Sequence, residues 1–166
     1  MKIELKNVKH SEFASHETSC FEASVYIDGV RAGIVENDGQ GGCNRYHPYD
    51  LEIKIDTYAK TLPPRQSKYS DLSYDEDADT VIGDLLTEHL YAKDLKRALA
   101  KKIMYVKTDD GLIYETIGLS KLELQLYLAE AKLCNKIHEK LKAKTILNIL
   151  PFTEALSIYR SGGIHA

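Results

Sequence analysis

The stretch Phe21-Glu22-Ala23-Ser24-Val25-Tyr26-Ile27-Asp28-Gly29-Val30, running on through Arg31-Ala32-Gly33-Ile34-Val35-Glu36, decides the fold class. Phe21, Ala23, Val25 and Ile27 alternate with more polar neighbours, the period of a half-buried strand. Asp28-Gly29 is a hairpin signal, because a tight two-residue turn wants residues that tolerate positive φ. Val30 to Glu36 therefore returns as the partner strand, with Ala32 and Ile34 read as its inward residues. Upstream, Ile3, Leu5 and Val8 mark a first strand, and the polar residues 10–19 a loop. The expectation is a three-stranded antiparallel sheet at the N-terminus.

Beyond that sheet comes Asn37-Asp38-Gly39-Gln40-Gly41-Gly42-Cys43-Asn44, leading into Arg45-Tyr46-His47-Pro48. Closely spaced glycines let successive N–H groups converge into a nest that attracts anions. A helix is favoured over a strand for 50–62, because Leu51, Ile55, Tyr58, Ala59 and Leu62 recur at helical spacing, although Leu51, Ile53 and Ile55 also alternate. Pro48 suits its first turn, and the N-terminus of such a helix would add to the preference for negative charge. Arg45 would neutralise the anion, with Tyr46 and His47 packing beside it. The spacing matches neither the phosphate loop nor the dinucleotide fingerprint. The candidate ligand-binding residues are Asn37, Asp38, Gly39, Gly41, Gly42, Asn44, Arg45, Tyr46 and His47.

Pro63-Pro64 stops the preceding element, and residues 65–79 read as a mobile acidic loop. A helix is expected from Asp79, which would cap it or sit in its first turn. Val81, Ile82, Leu85, Leu86, His89 and Leu90 form its buried face, with a kink or restart near Asp94. Residues 103–107 and 112–116 read as a second hairpin about Asp109-Asp110-Gly111. Leu119, Leu122, Leu126, Ala129, Leu133, Ile137 and Leu141 then step by three or four along one long helix. Leu124, Leu128 and Ala131 add a second seam, so its first half is expected to be buried on most sides. Its lysine-rich end, 136–144, should face water. A short helix over 152–159 follows Pro151, and 162–166 is a frayed tail.

The 166 residues suit a single domain, and 43% hydrophobic with 28% charged residues is an ordinary globular composition. A net charge of −3 argues against a protein that coats nucleic acid or membranes. Nucleic acid stays a lesser candidate partner through Lys93, Lys96, Arg97, Lys101 and Lys102. Three cysteines are too few for a disulfide scaffold. The N-terminus reads as a strand, not as a signal peptide, and no apolar run reaches membrane-spanning length. A cytoplasmic protein is expected.

His16-x-x-x-Cys20 and Cys43-x-x-x-His47 together offer two nitrogen and two sulfur ligands, the set tetrahedral zinc prefers, yet not at knuckle spacing. No metal and no cofactor are assigned. Cys43 is the one candidate nucleophile, with His47 or His16 as its base, on a turn ahead of a helix that would lower the thiol pKa. These elements predict an α+β fold: a small N-terminal antiparallel sheet, a mid-chain β-hairpin and a C-terminal helical layer. The leading function is a non-enzymatic binding protein for an anionic small molecule or nucleotide at the glycine-rich loop 37–47. The alternative is a protein-interaction or inhibitory accessory factor acting through the C-terminal helices. A Cys/His-dependent enzyme comes third.

Overall fold

The computed structural model describes residues 1–67, 71–133 and 136–162. Its architecture is α+β, with antiparallel sheets in both halves and helices C-terminal to each. The chain falls into two compact units, Met1–His89 and Leu90–Ala166.

The first unit is built on a four-stranded sheet in the order β1 (Ile3–Ser11), β2 (Cys20–Ile27), β3 (Val30–Asp38), β4 (Arg45–His47). The Asp28-Gly29 turn forms as the sequence demands, with φ of 48° and 83°. Phe21, Ala23 and Val25 face inward, but Ala32 and Ile34 do not; Val35 and Asn37 are buried instead. The reason is a bulge. Val25 pairs with Gly33 and Tyr26 with Arg31, so Ala32 is left unmatched and the alternation beyond it reverses. That single extra residue places Asn37, not Glu36, on the inner face.

Arg45, Tyr46 and His47 pair with Glu36, Val35 and Ile34, making a fourth strand where a loop running into a helix was expected. Helix α1 (Asp50–Ala59) starts after Tyr49, so Pro48 precedes it and is not in its first turn. Its buried residues are Leu51, Ile55 and Ala59. Gly33 is what admits it: a Cβ there would lie 2.1 Å from the His47 carbonyl oxygen and 2.8 Å from Leu51 Cδ2. Within 65–79, β5 (Arg65–Gln66) and β6 (Ser73–Tyr74) form a short ladder. Arg65 joins it to the next helix through Glu76 (2.8 Å) and Asp84. Both carboxylates hold the guanidinium pKa well above its ordinary value, Asp84 foremost.

Helix α2 (Ala78–Leu99) runs without a break at Asp94. The slip in its apolar phase has another cause: Ala78, Ile82 and Leu86 are buried in the first unit, whereas Leu95 belongs to the core of the second. Each half of the helix follows the core of its own unit.

In the second unit a three-stranded sheet, β8 (Ile113–Glu115), β7 (Met104–Lys107), β9 (Ala143–Ile146), carries a separate cluster on each face. Met104 and Ile113 meet Leu95, Leu147, Ala155 and Tyr159, the last two from α5 (Phe152–Ser161). Ile103 and Ile146 meet Leu124 and Ala131 of α3 (Lys121–Leu133) and Ile137 of α4 (Lys136–Leu141). The helix expected over 119–141 is described as α3 and α4 on either side of residues 134–135, and the lysine-rich end expected to continue it gives way to β9. Lys142 takes a left-handed φ of 50°, which ends the helical run, and β-branched Thr145 and Ile146 then fit a ladder on β7. The expected burial of α3 on most sides fails too. The Leu124–Leu128–Ala131 seam faces the core, while Leu122 and Leu126 are 66% and 58% exposed. One of the three cysteines, Cys134, and residues 163–166 of the expected tail fall outside the described residues.

Candidate functional site

The inner end of β3 leads into a corner that the first unit builds from two loops. The amides of His16, Glu17 and Thr18 all point at the Gly39 carbonyl oxygen, at 3.0, 3.0 and 3.4 Å. Gly39 has φ +83°, and a Cβ on it would lie 2.2 Å from the Ala14 carbonyl oxygen, so glycine is required twice over. Asn37, 7% exposed, holds the junction. Its Oδ1 accepts from the Thr18 hydroxyl (2.8 Å) and the Gly39 amide (2.9 Å). Its Nδ2 donates to the Gly42 carbonyl (2.9 Å) and to Asn44 Oδ1 (3.2 Å).

The network continues onto α2. Asn44 donates from Nδ2 to Asp79 Oδ1 (2.9 Å), and the Tyr46 hydroxyl donates to the same oxygen at 2.7 Å. Burial first, and then that bond to a carboxylate, push the Tyr46 hydroxyl pKa far above the ordinary tyrosine range. Asp79 stands in the first turn of α2, one of the two places the sequence allowed it, and is not the cap. Asp77 accepts from the Thr80 amide at 2.7 Å and fills that role, and its bonds from Thr80 hold its carboxyl below the usual range. This frees Asp79 to face Asn44 and Tyr46.

Between loop 15–19, the glycine-rich corner and the first turns of α2 lies an open cleft of about 600 Å³. Phe21 and Leu86, both buried, supply its apolar lining; Ser15, Thr18, Asn37, Asn44 and Asp79 supply the polar wall. Gly83 lines it from within α2, and a Cβ there would meet nothing within 4 Å.

Of the residues singled out from sequence, Asn37, Gly42 and Asn44 line this cleft and Tyr46 braces it through Asp79. Asp38, Arg45 and His47 are not among its lining residues. Arg45 lies on the outer face, 3.0 Å from Asp38 and 3.5 Å from Glu36, closing a cross-strand row Lys9–Glu22–Glu36–Arg45. The Gly39 amide is taken by Asn37, that of Gln40 by Asp38 (3.2 Å) and that of Gly41 by the Thr18 hydroxyl (3.3 Å).

His47 lies exposed on β4, its Nε2 3.8 Å from Glu36. Cys43 is exposed, and β4 stands between it and the start of α1, so it is not at a helix N-terminus. His16 lines the cleft, and Cys20 opens β2 with its amide on the Ser15 hydroxyl. Among the described residues, no three His, Cys, Asp or Glu side chains are grouped to hold a metal ion. In the second unit Lys96 lies over the Phe152 ring, Arg97 is 3.9 Å from Asp94, and Lys102 pairs with Glu115.

Sequence reasoning passed over Ser15, Glu17, Thr18 and Gly83. Only Gly83 carried a local signal, a glycine inside an otherwise helical pattern. The loop residues carried none, since their role depends on which carbonyl their amides meet. No helix among the described residues is long and apolar enough to cross a membrane. Comparisons with protein-family models, with curated proteins and with solved structures each return no match.

Proposed function

We propose that the first unit is a small-molecule binding module whose ligand sits in the cleft between loop 15–19, the glycine-rich corner and α2. The observation that carries this reading is Gly83. A glycine in the interior of a 22-residue helix costs about 1 kcal/mol relative to alanine. No packing demands it, because the space beside it is empty. What it does is widen the cleft and bare the helix backbone. The volume suits a small ligand, and a wall cross-linked through Asn37, Asn44 and Asp79 is organised before any ligand arrives. The test is a pair of variants screened by thermal shift against a metabolite panel. Gly83→Ala should raise intrinsic stability by about 1 kcal/mol. Gly83→Leu should abolish any ligand-induced shift, which at a hundredfold excess over Kd corresponds to about 2.7 kcal/mol. A ligand that binds both variants as it binds the natural chain would remove the proposal.

A second reading belongs to the second unit and rests on α3. Leu122 and Leu126 are exposed with Ala129 in line, and 122–126–129 is the spacing of a helix-pairing seam. An amphipathic helix of a partner protein is its proposed occupant. Leu122→Glu with Leu126→Glu should abolish complex formation with such a partner while leaving the circular dichroism of the chain unchanged. A complex that survives both charges would count against it.

A further inference from the structure

We infer that the ligand of this cleft carries a positive charge, a protonated amine on a small body, in contrast to the anion expected from the glycine-rich sequence. This rests on the cleft being a binding site and names the chemistry of what it takes. An anion needs donors, and the amides that the glycine-rich corner offered it at 39–41 are already engaged. The amides of Gly39, Gln40 and Gly41 go to Asn37, Asp38 and Thr18 side-chain oxygens, and those of 16–18 converge on the Gly39 carbonyl. Arg45, the cation assigned to the anion, pairs with Asp38 and Glu36 and does not line the cleft.

The charges that do line it are of the other sign. Among the described residues, Glu17 and Asp79 are its two carboxylates, no lysine or arginine lines it, and His16 is its one imidazole. Glu17 lies against Gly41: a Cβ on that glycine would fall 2.2 Å from Glu17 Oε2, so the missing side chain is what lets the carboxylate rest there. Asp79 receives Asn44 and Tyr46, all neutral donors. Among the described residues neither Glu17 nor Asp79 has a lysine or arginine partner, while Arg45 and Arg65 each have two carboxylates. A protonated amine would supply donors to these acceptors and the missing counter-charge, with its carbon body against Phe21 and Leu86.

Three probes with one four-carbon body separate the possibilities: 1,4-diaminobutane, 1,4-butanediol and succinate, titrated calorimetrically into the full chain. The expected result is saturable binding of the diamine alone at one per chain, weakened roughly tenfold by Glu17→Gln and lost in Gly83→Leu. Succinate or the diol binding in preference, and lost in Gly83→Leu, would overturn the charge assignment while keeping the cleft as a binding site. Diamine binding that neither substitution changes would place the amine elsewhere and overturn the inference. No saturable diamine binding up to about 10 mM would overturn it as well; silence of the Gly83-dependent metabolite screen in addition would remove the cleft reading itself.

Discussion

Asn37 in the first unit and Asn148 in the second tie the chain with the same carboxamide, to different ends. Asn148 addresses main chain only: its Nδ2 donates to the carbonyls of Leu99 (3.2 Å) and Lys102 (2.9 Å), and its Oδ1 accepts from the Met104 amide (2.8 Å). Two of the four partners of Asn37 are side chains, Thr18 and Asn44, which themselves line an open cleft. The first arrangement ends in a filled core between sheet and helix. The second ends in a wall with oxygen atoms on it. A buried polar group that satisfies only backbone stabilises the fold; one that satisfies other polar side chains can also hold them in place for something else.

The sharpest way to break the comparison is at one glycine turn in each unit, Gly39 beside Asn37 and Gly111 between β7 and β8. Gly39→Ala should cost about 3 kcal/mol or more, since the new Cβ meets the Ala14 carbonyl at 2.2 Å and the residue keeps φ +83°. Gly111→Ala, at φ +70° with nothing within 4 Å, should cost only about 1 kcal/mol. Urea denaturation of both variants reads the difference; equal costs would mean that loop 12–19 does not rest on Gly39.

Asn148→Leu comes next, at roughly 3 kcal/mol, because it strands an amide and two carbonyls in half-buried surroundings. Hydrogen exchange should localise its loss of protection to residues 90–162 and leave ligand binding by the first unit intact. Asn37→Leu should lose both stability and binding.

Alkaline pH separates the units more gently. Tyr46 stays neutral in the folded chain well above the pH at which an unfolded tyrosine ionises, about 10. Its contribution is therefore complete below that pH and is lost as pH rises beyond it, by up to about 1.4 kcal/mol per pH unit. Tyr159 is shifted the same way, by burial first, but among the described residues no carboxylate is bonded to its hydroxyl. Tyr46→Phe should flatten the alkaline limb of a stability–pH profile more than Tyr159→Phe does. The smallest effect is expected from Arg45→Ala. Its exposed pairs with Asp38 and Glu36 are worth at most about 1 kcal/mol, and ligand binding should not change. A marked loss of binding in that variant would return the site to the outer face of the sheet.

Local chemistry was enough for much of the fold. The Asp28-Gly29 hairpin, the inward set Phe21–Ala23–Val25, α1 with Leu51, Ile55 and Ala59, the Gly111 hairpin and α5 after Pro151 all depend on residues close in sequence. The elements misread are those decided at a distance. Ala32 bulges because of how β2 and β3 register, and β9 exists because β7 has an edge to fill. The outward turn of Leu122 and Leu126 reflects which seam of α3 the sheet can cover.

The candidate site divides along the same line. From its own residues the chain determined that a glycine-rich corner follows β3, and that Asn37, Asn44 and Tyr46 stand at it. Only the tertiary structure decided which donors that corner has left. Glycines permit a nest of amides, but whether those amides face a ligand or Asn37, Asp38 and Thr18 depends on where loop 15–19 comes to rest. A hydrogen bond forms with whatever acceptor folding brings within reach, and residues 18 and 41 lie too far apart in sequence for any local pattern to show that they meet.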